Sequence, residues 1–251
     1  MYPSMAAHEV SFAGDGGETI NAYFARPVGD GPFPGVAVLH HLLGLDEGTM
    51  EIVRRFATHG FITVCPNLYY REAREHGRDG AWAASRAAGG VPDKRLLGDL
   101  AGALDYLRAA DGANGKVGVI GYCSGGRQAF LGACSIDMDA AVDCYGSFVT
   151  NEPPKEIPLR YEPLLHLTGG LRCPLLGVFG GHDPNPSPAD AQLIAAEMTR
   201  HGKQFELLEY PDAGHGFFAV DRADHYNVEA ATDGWMRILT FFRQRLDAQA
   251  D

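Results

Sequence analysis

Cysteine is scarce in this sequence: the 251 residues contain five, and no two of them form a C-x-x-C pair. An odd count without that spacing argues against a framework of disulfide bonds and predicts reduced thiols. Because such thiols are typical of the cytosol, we expect a cytoplasmic protein. The opening residues, MYPSMAAHEVSF, have no basic stretch followed by an apolar one, so they predict no secretory signal.

Basic residues are also few. Lysine and arginine number 21 against 32 aspartate and glutamate residues, which gives a net charge of −11. Binding to nucleic-acid phosphates or to an anionic membrane needs a basic face, so we expect neither partner. Long hydrophobic runs are absent, since runs such as residues 35–39 are far shorter than a membrane span. The expected partner is a small molecule, bound by a monomer or a small homo-oligomer.

What the sequence does contain is a regular alternation of strand and helix patterns. Continuous apolar runs predict strands that lie in a sheet covered on both faces. These runs cover residues 34–41, 61–66, 116–121, 140–145, 174–179 and 205–210. Residues 9–13 and 19–26 alternate more strictly between apolar and polar positions, which indicates an antiparallel pair at one edge of the sheet.

Helical patterns fill the gaps between the runs. They cover residues 46–59, residues 93–110, the stretch opened by Ser187-Pro188-Ala189-Asp190, and an apolar stripe from Trp235 to Leu246. Ser187 and Asp190 have the spacing of a capping box. Alternating strands and helices predict right-handed βαβ units. We therefore predict one α/β domain over residues 1–251, with a mostly parallel twisted sheet and helices on both faces.

Residues 69–93 stand apart from this pattern. The segment is polar, rich in glycine and longer than a usual connection, yet it carries Trp82. A long insertion at the end of a strand often acts as a lid over an active site. A solvated excursion anchored by Trp82 explains the same composition, so both interpretations stay open.

The most informative stretch is VGVIGYCSGG, residues 117–126. It predicts a strand that turns sharply into a helix, and it has the form G-x-S-x-G with Cys123 in place of the serine. A nucleophile on such a turn requires small residues two positions before and after it, and Gly121 and Gly125 meet that requirement. Ser124 is preceded by the bulky Tyr122 at that distance. We therefore predict Cys123 as the nucleophile.

This turn would place Cys123 at a helix N-terminus, where the helix dipole lowers the pKa of a thiol. The backbone N–H of Ser124 would point at the oxyanion formed in acyl transfer. A second donor is expected from the loop after the strand at 34–41, where the N–H of Leu42 is the candidate. An inert cysteine in a glycine-rich turn is the alternative. The remaining cysteines are expected in the core: Cys65, Cys134, Cys144 and Cys173.

An acid and a histidine follow Cys123 in the chain order of α/β-hydrolases. Asp183 lies just beyond the strand at 174–179, and His215 lies between glycines after the strand at 205–210. Loops beyond the carboxyl ends of parallel strands meet at one edge of the sheet. We predict that His215 takes the thiol proton and that Asp183 orients its imidazole.

With these residues, the sequence resembles the dienelactone hydrolase family, the carboxymethylenebutenolidase-like α/β-hydrolases. The motifs that carry the resemblance are GYCSGG at 121–126, G-x-x-D ending at Asp183, AGHGF at 213–217, CPNLY at 65–69 and the pair Tyr145-Gly146. The resemblance implies the α/β-hydrolase fold and a triad of cysteine, aspartate and histidine, with no metal and no cofactor. It also implies hydrolysis of an ester or lactone, because the best-known members open an enol-lactone ring.

Two departures from the family pattern concern the substrate. His41 stands where the family usually has a glutamate that contacts the cysteine; a protonated His41 would favour the thiolate, or the residue only lines the pocket. The family's lactone enzymes hold a carboxylate with an arginine shortly after the histidine, but here that stretch reads FFAV and Arg222 comes later. The aromatic residues expected around a more apolar pocket are Tyr122, Tyr145, Phe217, Phe218 and Trp82.

Two other functions stay open at this point. The departure at His41 is compatible with a ligand-binding or sensor protein that performs no catalysis. A metal site would need histidines such as His40, His41, His182 and His215, but the sequence has no ligand motif of the H-E-x-x-H kind.

Overall fold

The computed structural model describes residues 4–247, and its strands form one eight-stranded sheet. The strands are β1 Met5–Ala13, β2 Thr19–Pro27, β3 Phe33–Leu39, β4 Ile62–Pro66, β5 Ala113–Tyr122, β6 Ala140–Cys144, β7 Leu175–Gly180 and β8 Phe205–Tyr210. Each of the eight runs that the hydrophobic pattern predicted is a strand. The predicted domain, residues 1–251, extends at both ends beyond the described residues.

The described part of the chain contains six α-helices, five between strands and one after β8. They are α1 Glu47–Thr58, α2 Tyr70–Ala87, α3 Asp93–Arg108, α4 Ser124–Ser135, α5 Pro188–Arg200 and α6 Val228–Leu246, with 3₁₀ turns at Asp15–Gly17 and Leu165–Gly170. No helix within residues 4–247 combines the length and apolar character that crossing a bilayer requires.

The strand order across the sheet is β1-β2-β4-β3-β5-β6-β7-β8. β1 pairs with β2, and β2 with β4, in antiparallel orientation, whereas all neighbours from β4 to β8 are parallel. The predicted parallel sheet with an antiparallel edge pair is therefore confirmed. Because β3 to β8 run in one direction, their carboxyl ends lie at the same edge, where α/β proteins place their binding sites.

Helices cover both faces of the sheet, as predicted. On one face, α1 and α6 contribute Phe56 and Phe242 to an apolar cluster. On the other face, α3 and α4 contribute Leu100 and Phe130 to a second cluster. Successive residues of the central strand β5 belong to opposite clusters, which explains why its sequence is continuously apolar rather than alternating.

Local capping signals fix the helix starts near the carboxyl edge. Asp46 caps α1, because its carboxylate accepts a hydrogen bond from the N–H of Thr49 at 2.9 Å. The predicted capping box at α5 is present: the Ser187 hydroxyl accepts from the Asp190 N–H, and the Asp190 carboxylate accepts from the Ser187 N–H at 2.8 Å. These caps fix the loops after β3 and β7 at the points where α1 and α5 begin.

Most of the segment 69–93 is the helix α2, kinked at Gly77, whose φ is 71°. Arg71 forms an ion pair with the buried Asp99 of α3 at 2.6 Å, and Trp82 packs against the core cluster on that face. Residues 74–79 are exposed and Trp82 anchors the helix, so the structure is compatible with the interpretation as a solvated excursion. A lid movement of α2 stays a prediction.

Candidate active site

The candidate residues come together at the carboxyl edge of the sheet. Cys123 follows β5, Asp183 follows β7, His215 follows β8, and the loop with Leu42 follows β3. The strands β3 and β5 are neighbours, and β6 lies between β5 and β7. The topology thus places residues that are far apart in sequence around one point.

Cys123 lies on a sharp turn between β5 and α4. Its backbone has φ 58° and ψ −120°, a conformation that residues other than glycine rarely adopt. A Cβ atom at Gly121 would overlap the carbonyl oxygen of Gly125, and one at Gly125 would overlap the carbonyl oxygen of Leu39. The two glycines therefore allow the close backbone approach that the turn requires.

Backbone hydrogen bonds hold the turn on both sides. The N–H of Cys123 donates to the carbonyl of Cys144 in β6 at 3.0 Å, and the Cys123 carbonyl accepts from the N–H of Gly126 at 2.9 Å. The strained conformation persists because the neighbouring strand and the new helix fix it from opposite sides.

His215 and Asp183 form a close pair. Nδ1 of His215 lies 2.7 Å from Oδ2 of Asp183, and the carboxylate is only 2% exposed. The other oxygen, Oδ1, accepts from the backbone N–H of Asn185 at 2.8 Å. With both oxygens engaged, the carboxylate has one orientation, and Nε2 of His215 is left to interact with Cys123.

Electrostatics couple the three side chains. Burial alone would lower the pKa of His215, but hydrogen bonds and charge attraction with Asp183 and Cys123 raise it to about 10. Burial alone would raise the pKa of the Cys123 thiol, but the hydrogen bond and charge of His215, with the N–H of Ser124, lower it overall. The arrangement favours a thiolate beside an imidazolium.

Two side chains shape the loop that carries Leu42. Burial lowers the pKa of His40 to about 4, so its ring is neutral; Nδ1 donates to the carbonyl of His41 at 2.8 Å and Nε2 accepts from the N–H of Leu68 at 3.2 Å. The hydroxyl of Tyr69 donates to the carbonyl of Leu42 at 2.8 Å. The backbone of Leu42 is thereby fixed, and its N–H belongs to a residue that lines the same cavity as Cys123.

A cavity of about 270 Å³ opens beside Cys123. Of the predicted pocket residues, His41, Tyr122 and Tyr145 line it. Its other walls include Leu43, Glu51, Ile52, Phe218, Val220, Asp221, Arg222 and His225.

Two pocket predictions are corrected by the structure. Phe217 is fully buried and packs against Tyr145 at 5.3 Å between ring centroids, while its neighbour Phe218 lines the cavity. Adjacent residues in the loop after His215 point to different sides, and this loop has no periodicity from which to infer the direction. Trp82 lines a separate cavity between α2 and the loop after β3, because α2 packs outside that loop.

Sequence reasoning missed Glu51 and Ile52. Both lie on α1, whose first turn begins directly after the loop of Leu42. A helix that begins directly after the loop of Leu42 has its first turns beside the cavity. The predicted start of this helix was therefore the signal in the sequence for Glu51 and Ile52.

His41 is held by partners that the sequence did not indicate. Its Nε2 lies 2.7 Å from Oδ2 of Asp46, and its Nδ1 lies 3.4 Å from Nη2 of Arg222. A guanidinium only donates hydrogen bonds, so Nδ1 is the acceptor in the contact with Arg222. The groups that lower the pKa of the Cys123 thiol include His215 and the N–H of Ser124, and an effect of His41 on the thiolate stays a prediction.

The histidines proposed as alternative metal ligands do not converge. His40 makes its hydrogen bonds to backbone groups, and His215 is paired with Asp183. Within residues 4–247, no three side chains of histidine, cysteine, aspartate or glutamate are grouped closely enough to hold a metal ion.

Residues 20–246 match the family model described as "Dienelactone hydrolase family". The chain belongs to this family. An Escherichia coli K12 relative named "putative carboxymethylenebutenolidase" is 31% identical over 235 residues, which cover 91% of this chain and 83% of the relative. A Synechocystis relative of the same name is 30% identical, covering 90% and 92% of the two chains.

A solved structure supports the same assignment. The crystal structure named "putative dienelactone hydrolase" from Klebsiella pneumoniae is 30% identical, has a TM-score of 0.82, and covers 96% of this chain and 99% of its own. The α/β-hydrolase fold is thereby confirmed. As a member of the dienelactone hydrolase family, the protein is a hydrolase that acts on ester or lactone bonds.

Proposed function

We propose that this member of the family hydrolyses esters or lactones through a thioester on Cys123, with His215 and Asp183 completing a catalytic triad. The observation that carries the proposal is the position of His215, which lines the same cavity as Cys123 and holds the Asp183 carboxylate at 2.7 Å; the lowered pKa of the Cys123 thiol supports it. A base within reach of a nucleophile, itself oriented by a third group, is the arrangement that activates a nucleophile.

In the first half of the reaction, the Cys123 thiolate attacks the carbonyl carbon, and the carbonyl electrons move to the oxygen. The N–H groups of Leu42 and Ser124 stabilise this oxyanion. As the intermediate collapses, the bond from carbon to the leaving oxygen breaks, and the His215 imidazolium donates its proton to that oxygen. A thioester and an alcohol result; with a lactone, the alcohol remains part of the acyl group.

In the second half, neutral His215 takes a proton from water, and the resulting hydroxide attacks the thioester carbon. The bond from carbon to sulfur breaks, the carboxylic acid leaves, and the thiolate is restored beside the imidazolium. Asp183 keeps the imidazole in the tautomer that this exchange requires.

The walls of the cavity favour an apolar acyl group of modest size. The side chains of Leu42, Ile52 and Phe218 line the volume next to Cys123, and the cavity holds about 270 Å³. Apolar walls with a few polar groups are typical of small-molecule sites. We therefore propose a small ester or lactone with an apolar acyl portion as the substrate class.

Turnover of p-nitrophenyl acetate and p-nitrophenyl butyrate tests the proposal. We expect the wild type to hydrolyse both, Cys123→Ala to lose activity, and Cys134→Ala, a change at a buried cysteine of α4, to retain it. Rapid quenching followed by mass spectrometry should find the acyl group on Cys123. Equal trace rates in the wild type and Cys123→Ala would instead favour a non-catalytic ligand-binding protein.

The same proposal includes a cytoplasmic location and a monomer or small homo-oligomer. All five cysteines are free thiols, a state that a reducing compartment maintains. Cell fractionation and size-exclusion chromatography test these two points.

A further inference from the structure

The turn that follows β6 has an unusual backbone. Tyr145 has φ 42° and Phe148 has φ 64°, both in the left-handed region that residues other than glycine rarely occupy. Such conformations persist only when the surroundings fix them, and they concentrate at functional sites. Here the N–H of Tyr145 donates to the carbonyl of Val178 at 2.9 Å, and the N–H of Gly146 donates to Oδ1 of the buried Asp143 at 2.8 Å.

This turn contacts the candidate triad at more than one point. The carbonyl of Cys144, just before it, accepts the N–H of Cys123 at 3.0 Å. The ring of Tyr145 meets the ring of His215 edge to face, with 5.1 Å between centroids. The turn therefore touches the backbone of the nucleophile and the side chain of the base.

A third contact joins the turn after β6 to the loop that carries Asp183. Ser147 is buried, and its hydroxyl donates to the carbonyl of Asn185 at 3.0 Å. The N–H of the same residue, Asn185, donates to Oδ1 of Asp183 at 2.8 Å. One hydroxyl thus holds the carbonyl of Asn185, and the N–H of the same residue, in the preceding peptide unit, binds the carboxylate whose Oδ2 lies beside Nδ1 of His215.

We propose that Ser147 is a positioning residue for the triad: through Asn185 it sets the rotation of the Asp183 carboxylate against His215. The proposal rests on the proposed function, because it concerns the same triad. Ser147 touches neither substrate nor reacting atoms, so its effect passes entirely through Asp183 and His215. Without the hydroxyl, the loop after β7 loses this link to the β6 turn, and the carboxylate can rotate.

The prediction for Ser147→Ala follows from this chain of bonds. A rotated Asp183 supports the imidazolium less well, so the thiolate loses its partner and the pKa of Cys123 rises. We expect kcat to fall about tenfold to a hundredfold, in line with the cost of a small misplacement, while KM changes little. Ser147→Thr keeps a hydroxyl at the same position and should restore most of the activity.

A matched control is available in the same segment. Thr150 also donates a side-chain hydrogen bond across to the α5 region, from Oγ1 to Oδ1 of Asp190 at 2.5 Å, but that bond does not lead to the triad. Thr150→Val should therefore leave kcat and the titration of Cys123 unchanged. Urea unfolding of each variant establishes that the fold is intact.

Two measurements separate the outcomes. The first is kcat and KM with p-nitrophenyl acetate, and the second is the rate of Cys123 alkylation by iodoacetamide against pH, which needs no enzymatic activity. An unchanged alkylation profile in folded Ser147→Ala would overturn the proposal, as would equal effects of Ser147→Ala and Thr150→Val. If Cys123→Ala kept wild-type turnover, the proposed function would fail, while the alkylation profile would still decide the role of Ser147.

Discussion

Nδ1 of His215 lies 2.7 Å from Oδ2 of Asp183, although the two residues are 32 positions apart in the chain. The carboxylate is buried and holds the imidazole by one oxygen, while its second oxygen is fixed by the N–H of Asn185. In the proposed triad this pair sets the orientation of the imidazole, and the hydrogen bond and charge of His215 lower the pKa of the Cys123 thiol.

The Asp183→Asn substitution should remove the charge and leave the size unchanged. An amide can force the wrong imidazole tautomer, and by analogy with other triads we expect turnover to fall by about 10³ to 10⁴. Steady-state kinetics with p-nitrophenyl acetate measure this, with Asp212→Asn on the exposed part of the His215 loop as the control. Near-full activity of Asp183→Asn would mean that another acid orients His215.

Alkylation of Cys123 should report a depressed thiol pKa. Since only the thiolate reacts, the rate of iodoacetamide modification should rise with pH and level off at an apparent pKa below about 8.5, the usual value for a free cysteine. The other four cysteines are buried, so modification of the native protein should occur at Cys123, as peptide mapping can verify.

Two histidine variants identify the source of this depressed pKa. His215→Gln removes the hydrogen bond and charge that lower the pKa of Cys123, so the apparent pKa should rise. His41→Gln should leave the pKa unchanged, because His41 binds Asp46 and Arg222 instead. The opposite pattern would show that His41, and not His215, lowers the pKa of the Cys123 thiol.

Gly125→Ala should destabilise the protein and abolish activity. The new Cβ would overlap the backbone carbonyl oxygen of Leu39, which cannot move without disturbing β3. Overpacking of this kind typically costs about 1–3 kcal/mol of unfolding free energy. Gly132→Ala, in the same helix α4, is the control: its Cβ meets a flexible side-chain carbon of Leu100 and should lower the free energy of unfolding by less. Urea unfolding that finds Gly132→Ala the less stable of the two variants would contradict the prediction.

Asp143→Asn should change how stability depends on pH. Burial raises the pKa of Asp143 from 3.8 to about 7, so between these values the folded protein holds a proton that the unfolded chain has released. Wild-type stability therefore falls as pH rises through this window. Asparagine keeps an acceptor for the N–H of Gly146 and does not ionise. The free energy of unfolding of Asp143→Asn, relative to that of the wild type, should therefore rise by about 2–3 kcal/mol between pH 5 and pH 8.

Urea unfolding of both proteins at the two pH values measures that gain. The wild-type carboxylate has one oxygen, Oδ2, buried without a hydrogen-bond partner among the described residues, which is why its ionisation is unfavourable. A constant difference between the two proteins at pH 5 and pH 8 would show that Asp143 is not protonated in the native state near neutral pH.

Short segments of the sequence were sufficient to predict the frame of the site. The glycines around Cys123 predicted the sharp turn because the steric requirement involves only residues within two positions of the cysteine. Ser187 and Asp190 predicted the start of α5 for the same reason, since a capping box closes within one helical turn. The apolar runs predicted the strands, and strand ends predicted where Asp183 and His215 would lie.

The tertiary structure alone decided the contacts that join distant segments. His41 meets Arg222 across 181 positions, a pairing that no short segment of the sequence indicates. Phe217 and Phe218 were both expected around the pocket, but only Phe218 lines it, because an irregular loop gives no rule for side-chain direction. Helix α2 carries Trp82 to a different cavity because its packing against the core, not its composition, determines where it lies. Local sterics and hydrophobic periodicity can be found in a few adjacent residues, whereas the direction of a side chain in a loop depends on everything packed around it.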